Sequence, residues 1–320
     1  MKKAAVCGGS GFLGSWICDR LRKEGYWVDS YDRKMPEFGW APADAYFLFD
    51  LRNGPDYFAT FRWQQYDLVV QMAANMGGAE HVFSGRYDAE IMHDSALINL
   101  NVLEACRQAE VKDMLFTSSA CVYPTLADEP ACRESDTPNP DSSYGMEKLF
   151  SEYLYDAYAR NYGMRIRIAR VHNAYGAYGT WQGGREKSPA AFCRKIAEID
   201  NGGLIECFGD GKQTRSFIHA SEATEGFWRL IKADPIGQPI NIGSSEMVSI
   251  NDLMQMIGEI AGKQFTARYI DGPLGVRGRN SDNALIEQKL GWKPSMSLRE
   301  GLELTYPWIK EQVDKANANK

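Results

Sequence analysis

The sequence predicts an α/β protein of the Rossmann type, a doubly wound parallel sheet with a smaller C-terminal substrate-binding lobe. Three observations lead to this fold class. Short apolar segments alternate with longer amphipathic ones through the first half of the chain. A glycine-rich turn directly follows the first apolar segment. The alternation then breaks at about residue 174, where glycine and aromatic residues crowd the sequence.

The predicted strands are short, apolar and rich in β-branched or aromatic residues, as is usual for strands buried on both faces of a parallel sheet. They cover residues 4–7, 27–31, 45–49, 67–73, 114–117 and 165–171. Between them, longer amphipathic patterns predict helices over residues 12–24, 94–110 and 143–162. Helices on both faces of this sheet would make a doubly wound domain.

We expect the first domain to cover residues 1–174, with segments near 214–243 returning to it. Residues 175–320 would then form mainly the second lobe, which binds the substrate. Helical patterns in this half cover residues 189–200, 250–261 and 297–316. An active cleft is expected between the two parts.

Composition excludes several classes of function. The 320 residues are 44% hydrophobic and 24% charged, which is ordinary for a globular protein. The net charge of −6 offers no basic excess for nucleic acid, and no apolar run approaches the ~20 residues of a membrane span. Seven scattered cysteines without a Cys-x-x-Cys pair predict neither a metal site nor disulfides, and they favour the cytoplasm.

The glycine-rich turn reads Gly-Gly-Ser-Gly-Phe-Leu-Gly over residues 8–14. Glycines at positions 8, 11 and 14 allow a tight turn, the approach of a pyrophosphate and close helix–strand packing. The following helix would offer amide donors and a partial positive charge to that pyrophosphate. Since a strand precedes this turn and a helix follows it, the pattern predicts a dinucleotide site.

Asp32 ends the second predicted strand, at the distance expected of a carboxylate that binds the adenosine ribose. A carboxylate there favours NAD over NADP, although Arg33 and Lys34, which follow at once, weaken the inference. Asp50 ends the third predicted strand. Its carboxylate either accepts from the adenine amino group or caps the strand end.

Tyr144 and Lys148 form a Tyr-x-x-x-Lys pair on a predicted helix. Positions i and i+4 share a helix face, so the ammonium group would lie beside the phenol and favour its ionised form. Ser119 lies at the end of the fifth predicted strand, where a hydroxyl can bridge a substrate oxygen and that phenol.

In these residues and their order, the chain resembles the extended short-chain dehydrogenase/reductase family that acts on nucleotide sugars. The resemblance covers nearly the whole chain and includes residues 215–219 and 290–302. It implies that Ser119, Tyr144 and Lys148 are catalytic and that NAD is the cofactor. Tyr144 would take the proton of a sugar hydroxyl while a hydride leaves carbon 4. It also implies a homodimer, paired through the helices near 94–110 and 143–162.

Longer blocks of sequence resemble the members of that family that epimerise GDP-mannose at carbons 3 and 5. The blocks are residues 73–78, 171–195 and 275–283. The resemblance implies that Cys121 and Lys187 are the acid–base pair of the inversion, because a ketone at carbon 4 acidifies the hydrogens on carbons 3 and 5. The sequence departs from the pattern of those epimerases after Gly78 and at Ala177. The first departure falls where a sugar could be contacted, so the identity of the hexose stays open.

By this resemblance, the residues expected to bind NAD lie in the glycine turn, at strand ends and on the Tyr-x-x-x-Lys helix. They are Gly8, Gly11, Phe12, Leu13, Gly14, Asp32, Arg33, Asp50, Leu51, Ala73, Tyr144 and Lys148. Those expected to bind the GDP-sugar come from both halves of the chain. They are Gly77, Ser119, Ala120, Cys121, Asn173, Glu186, Lys187, Lys195, Gln213, Thr214, Arg215 and Arg277.

Three functional hypotheses remain at this point. The first is the 3,5-epimerisation of GDP-mannose through transient oxidation at carbon 4. The second keeps the fold and NAD but places the chemistry on another GDP-sugar, such as a heptose or a 4-keto sugar, or at carbon 4 of a nucleotide sugar. The third, a non-catalytic NAD sensor, would not need all five of the predicted catalytic residues.

Overall fold

A computed structural model of the chain describes residues 1–54, 63–125, 131–272 and 278–318. Its main sheet has seven parallel strands in the order β11-β6-β5-β4-β1-β2-β3. These strands are β1 (Lys3–Cys7), β2 (Trp27–Asp32), β3 (Ala45–Leu48), β4 (Leu68–Gln71), β5 (Asp113–Ser119), β6 (Arg165–Val171) and β11 (Ile240–Ile242). The order reverses between β1 and β4, which is where doubly wound sheets bind ligands. The predicted fold class is confirmed.

Nine α-helices occur among the described residues. They are α1 (Phe12–Lys23), α2 (Ala79–Phe83), α3 (Asp88–Gln108), α4 (Ser143–Tyr162), α5 (Ser188–Glu198), α6 (Ala220–Lys232), α7 (Ile250–Ala261), α8 (Ala284–Leu290) and α9 (Leu298–Ala318). Short 3₁₀ turns cover Trp63–Gln65 and Ala120–Val122. None of the helices in the described part of the chain combines the length and the apolar character needed to cross a membrane.

Alternating residues of the strands face two separate cores. Ala4 and Val6 of β1 pack in one core with side chains of α1 and α6. Ala5 and Cys7 pack in the other core with side chains of α3 and α4. This period-2 pattern places helices on both faces of the sheet, as the apolar character of its strands predicts.

A third core belongs to the second part of the molecule and is formed largely by α5, α7 and α9. Three pairs of strands surround it: β7 (Ala174–Tyr175) with β10 (Ile218–His219), β9 (Thr214–Ser216) with β12 (Met247–Ser249), and β8 (Gly203–Phe208) with β13 (Phe265–Ile270). The chain returns to the main sheet at β11, beside β6. The domain boundaries stated above stay a prediction.

Element boundaries differ from the predicted ones where polar residues belong to regular structure. Helix α3 begins at Asp88 rather than at residue 94, because its polar first turn precedes Ile91, which is fully buried. Strand β5 extends to Ser119, because the hydroxyl-bearing residues at its end still pair with β6. Hydrophobic periodicity gives little indication of such polar ends.

Candidate active site

The glycine turn forms the floor of the predicted cofactor site, between β1 and α1. Gly8 adopts φ +79°, and a Cβ there would lie 2.8 Å from the backbone nitrogen of Ala73. A Cβ on Gly14 would lie 1.9 Å from the carbonyl oxygen of Gly8. Gly11 is the N-cap of α1, so the first amides of the helix are left for a ligand. These residues fit the pyrophosphate of a dinucleotide.

Asp32 lies beside this turn, at the end of β2. One carboxylate oxygen accepts from the Ser10 amide at 3.2 Å and the other from the Lys34 amide at 3.3 Å. Burial raises the pKa of Asp32, and the amides of Lys34, Ser10 and Arg33 oppose that shift. The carboxylate thus lies next to the pyrophosphate floor, where the predicted contact with a ribose requires it.

We expect the protein to bind NAD about tenfold or more tightly than NADP, because a 2′-phosphate would meet the Asp32 carboxylate and like charges repel by several kcal/mol. The Asp32→Ser variant should reduce this preference, measured by calorimetry as the ratio of the dissociation constants for NADP and NAD. Lys34→Ala is the matched control: it removes a neighbouring cation and should not improve NADP binding. Equal affinities in the unmodified protein would contradict the prediction.

Asp50, the other carboxylate predicted to bind the cofactor, is engaged by its neighbour. Both of its oxygens accept from the Arg52 guanidinium, at 2.6–3.1 Å, and Arg52 also contacts Asp94. The Arg52 hydrogen bonds lower the pKa of Asp50. This geometry resembles the strand-end cap more than a free acceptor for adenine. The adjacent Leu51 is buried.

Ser119, Tyr144 and Lys148 meet where β5 ends against the first turns of α4. The Lys148 ammonium donates to the Thr117 carbonyl at 3.0 Å and lies 5.8 Å from the centre of the Tyr144 ring. Ser119 is hydrogen-bonded to Tyr144, and its hydroxyl also accepts from the Cys121 amide at 3.2 Å. The packing of α4 against the end of β5 therefore brings Ser119, Tyr144 and Lys148 together, as predicted.

Burial dominates the electrostatics of these groups. It raises the pKa of Tyr144, with a further rise from Cys121, while the hydrogen bond from Ser119 lowers it. Burial lowers the pKa of Lys148. Burial thus shifts the pKa values of the phenol and the amine in opposite directions. Titratable groups with shifted pKa values are typical of sites that transfer protons.

Cys121 and Lys187 approach the same place from different elements. Cys121 lies in the Ala120–Val122 turn and packs against the small apolar cluster that contains Tyr144. Lys187 is the N-cap residue of α5, in the second part of the molecule. Burial lowers the pKa of the Lys187 ammonium, and Cys121 is near enough to oppose this shift. The structure thus places a thiol and an amine beside the Ser119–Tyr144–Lys148 cluster.

The loop that carries Lys187 rests on Gly78, a residue whose role the sequence did not reveal. A Cβ on Gly78 would lie 2.7 Å from the carbonyl oxygen of Glu186 and 3.4 Å from that of Arg185. Its neighbour Gly77, predicted to contact the sugar, lies against His81. The adjoining glycines were the available signal, but contact between such distant segments has no local pattern.

Other residues predicted to bind substrate are already engaged within the second part of the molecule. Glu186 accepts from the Arg194 side chain at 3.2 Å and from the Gly184 amide at 2.7 Å. Lys195 donates to the Glu206 carbonyl at 2.7 Å. These hydrogen bonds hold both side chains on neighbouring segments of the second part of the molecule.

The remaining predicted residues lie near β9. Asn173 donates to the Ser216 carbonyl at 3.2 Å, and Arg215 donates to the Thr214 carbonyl at 2.6 Å. The Gln213 amide nitrogen donates to a backbone carbonyl, but its buried side-chain oxygen has no hydrogen-bond partner among the described residues. Arg277 lies outside the described residues.

His172 and His219, two buried histidines near this region, are held by hydrogen bonds within the fold. Burial lowers the pKa of His172 to about 3 and that of His219 to about 4. Both are therefore neutral near pH 7. His172 contacts Asn241 and His219 caps α6, so both are hydrogen-bonded within the fold.

Comparison with known proteins agrees with this site. Residues 4–243 match the model of the NAD dependent epimerase/dehydratase family. GDP-mannose 3,5-epimerase of Arabidopsis thaliana is 42% identical over 324 residues, which cover 99% of this chain and 84% of the plant protein. GDP-L-fucose synthase of Escherichia coli is 27% identical, over 98% of each chain.

Solved structures show the same fold. UDP-glucuronic acid 4-epimerase from Bacillus cereus, solved with UDP-glucuronic acid and NAD, has a TM-score of 0.84 and 26% identity, and the match covers 97% of this chain and 99% of that one. The match to the family model, which includes the glycine turn, Tyr144 and Lys148, confirms the cofactor prediction and the predicted enzyme class. The chain belongs to the NAD dependent epimerase/dehydratase family.

Proposed function

We propose that this protein is an epimerase of GDP-mannose that inverts carbons 3 and 5 after transient oxidation at carbon 4. One observation carries the proposal: Cys121 and Lys187 lie together beside the Ser119–Tyr144–Lys148 cluster. An enzyme that inverts only carbon 4 needs the cluster but not this second pair. A plant relative that is 42% identical over nearly the whole chain carries the name of the proposed activity.

The cofactor and the first cluster serve the oxidation. Bound at the glycine turn and Asp32, NAD would supply the hydride-accepting chemistry that oxidation at carbon 4 requires. Tyr144 accepts the proton of the carbon-4 hydroxyl, and Ser119 donates a hydrogen bond to the same oxygen. The Lys148 ammonium stabilises the phenolate form of Tyr144 by through-space attraction.

The second pair serves the inversion. With a ketone at carbon 4, the hydrogens on carbons 3 and 5 become acidic. Inversion then requires a base on one face of the ring and an acid on the other. Cys121 and Lys187 supply these groups from the 3₁₀ turn and from the N-terminus of α5. Burial lowers the pKa of Lys187, which brings its amine closer to neutrality and eases proton transfer in both directions.

Incubating the purified protein with a panel of GDP-, UDP- and CDP-sugars tests the substrate. The expected result is conversion of GDP-mannose to GDP-galactose of the L series, with no turnover of UDP-glucose. If only another GDP-hexose were converted, the proposed substrate would be wrong and the proposed reaction could stand. Inversion of UDP-glucose at carbon 4 would show that both the proposed substrate and the proposed reaction are wrong.

We also propose that the protein is a homodimer formed through α3 and α4. Large apolar side chains are exposed along these helices, with α4 presenting a row at helical spacing. They are Met92 and Leu100 of α3 and Met146, Phe150 and Tyr153 of α4. A row of this kind on two adjacent helices is suited to a second copy of the same surface, because two-fold pairing covers both rows at once.

The Phe150→Asp variant should therefore be monomeric, because pairing would bury its carboxylate without a partner. Light scattering at micromolar concentration gives the molar mass of the variant, which should be half that of the dimeric unmodified protein. Phe208→Asp is the matched control, since Phe208 is also about half-exposed but lies in β8. A monomeric unmodified protein would contradict the proposal.

We also propose that the protein is located in the cytoplasm. The seven cysteines form no disulfide, and six of them are buried as thiols. Burial raises the pKa of Cys132 to about 11, and those of Cys7, Cys18 and Cys193 further still, so these thiols stay protonated and unreactive. Such thiols are typical of proteins that work in a reducing compartment.

A further inference from the structure

Five aromatic rings form a chain of contacts where the first part of the molecule meets the second. Three of them, Trp16, Phe38 and Trp40, belong to the first part: Trp16 lies on α1, and the other two lie in the segment between β2 and β3. The remaining two belong to the second part, with Tyr178 after β7 and Trp308 on α9. The proposed mechanism gives none of these side chains a role.

The closest of these contacts joins the two parts directly. The Trp40 and Tyr178 rings are 4.3 Å apart, centre to centre, and are tilted by 31°. Trp40 also meets the Trp16 ring edge-on at 5.3 Å, and Tyr178 contacts the Trp308 ring at 5.4 Å. Phe38 meets Trp308 edge-on at 5.2 Å and packs against the core of the second part. These separations are typical of favourable aromatic pairs, so the rings hold the segment between β2 and β3 against the second part.

Two further contacts hold the turn after β7 against α1. The Trp16 indole nitrogen donates to the Ala177 carbonyl at 3.1 Å. A Cβ on Gly179 would lie 3.2 Å from the Phe12 ring, so the backbone of the turn passes close to that ring. Between these contacts, Tyr178 adopts φ 65°, a left-handed conformation that a tyrosine rarely takes unless its surroundings impose it. The turn thus holds Tyr178 in place from both sides.

The Trp40–Tyr178 contact borders the predicted cofactor site. A cavity lies at the N-terminus of α1, whose amides are expected to bind the pyrophosphate. Its lining includes Gly11 and Phe12 from α1, Lys34 and Trp40 from the segment after β2, and Tyr178 from the second part. Two walls of this cavity, one from each part of the molecule, therefore meet where the Trp40 and Tyr178 rings touch.

Hydrogen bonds tie the segment between β2 and β3 at both of its ends. At its start, the Lys34 amide donates to Asp32, the carboxylate predicted to bind the ribose. Near its end, the Arg22 side chain donates to the Pro42 carbonyl at 3.0 Å. Between these two points, ring contacts with the second part hold the segment. Separation of the rings would therefore open the cavity without breaking the hydrogen bonds at either end.

We propose that Trp40 and Tyr178 form an aromatic gate at the dinucleotide site and that the cofactor enters and leaves when the two rings separate. The rings contact each other, so opening them precedes both entry and exit. Such a gate keeps the cofactor in its site while a sugar is oxidised and then reduced again. Only this use of the gate rests on the proposed function, because the gating itself depends on the NAD site and not on the sugar.

The experiment measures exchange of the cofactor without any sugar. Protein loaded with NADH is mixed with an excess of NAD, and the decay of the NADH fluorescence anisotropy gives the dissociation rate constant. In Trp40→Ala we expect this rate constant to rise about tenfold or more, because the variant loses two ring contacts. The association rate constant, measured by mixing NADH with the free protein, should rise as well. The dissociation constant should therefore change far less than either rate constant.

Tyr26→Ala is the matched control. The Tyr26 side chain is half-buried, as that of Trp40 is, and its ring meets Trp228 edge-on at 6.3 Å. Neither ring lines the cavity at the N-terminus of α1. Loss of this aromatic pair should leave both rate constants for NADH equal to those of the unmodified protein.

Tyr178→Leu removes the other ring of the gate and serves as the second variant should Trp40→Ala fail to fold. Its dissociation rate constant should also rise. The variant that carries both substitutions should exchange NADH little faster than the faster single variant, because either substitution breaks the same contact. Trp40→Phe keeps a ring at this position and should restore part of the slow exchange.

An unchanged dissociation rate constant in whichever of Trp40→Ala and Tyr178→Leu folds would overturn the inference. Faster dissociation with an equal rise in the dissociation constant would also overturn it, because that result indicates lost contacts with the cofactor and no gate. Either result would leave the proposed epimerase activity untouched, since the exchange is measured without a sugar.

Discussion

Tyr144→Phe should reduce product formation by about 10²–10⁴-fold, the contribution usual for a general acid–base group. The ring remains packed against Val82 and Ile91, so the fold should be kept while the ionisable oxygen is lost. Without an acceptor for the proton of the carbon-4 hydroxyl, oxidation at carbon 4 should stop. No deuterium should then enter the sugar from deuterium oxide, because carbons 3 and 5 never become acidic.

Tyr162→Phe is the control for this substitution, since Tyr162 also lies on α4 but at its exposed last turn. Its activity should equal that of the unmodified protein. If Tyr144→Phe still exchanged deuterium at the normal rate, the assignment of Tyr144 as the base of the oxidation would be wrong.

Cys121→Ala should separate the inversion from the oxidation. This variant keeps Ser119, Tyr144 and Lys148, so carbon 4 should still be oxidised. Hydrogen exchange should fail on the face that the thiol serves, and the yield of doubly inverted product should fall by about 10²–10⁴-fold. Ring positions of deuterium, read by nuclear magnetic resonance, measure the two steps separately.

Lys187→Ala should reduce the yield of doubly inverted product to a similar extent. Hydrogen exchange on the opposite face of the ring should continue, because Cys121 and Lys187 approach the ring from different elements. Cys106→Ala and Lys289→Ala are the matched controls, since Cys106 is buried against the main sheet and Lys289 is exposed on α8. Full exchange and full yield from Cys121→Ala would remove the thiol from the mechanism.

The parts of the fold and site that local sequence predicts are those set by short-range geometry. The glycine turn specifies its own backbone, since a Cβ at Gly14 would overlap the Gly8 carbonyl. The pairing of Tyr144 with Lys148 follows from helix periodicity. The hydrophobic pattern predicts the apolar part of β5, while the polar end that carries Ser119 is set by its pairing with β6.

The parts that the sequence could not predict depend on contacts between distant segments. The packing of Gly78 against Glu186 joins residues that lie far apart in the chain and share no pattern. The second contact of Arg52, in which its guanidinium donates to Asp94, likewise depends on where α3 begins. The hydrogen bond from Asn99 to the buried Glu147 carboxylate also joins distant segments, and periodicity places Asn99 on α3 without showing what its amide binds.

Incubation of GDP-mannose with the protein in deuterium oxide tests the central claim most directly. If one thiol–amine pair and one Ser–Tyr–Lys cluster act on the same ring, deuterium should appear at carbons 3 and 5 of the product, with both centres inverted. Carbon 4 should keep its original hydrogen, because the hydride leaves and returns without meeting solvent. A product inverted at carbon 4, with no deuterium at carbons 3 and 5, would contradict the account.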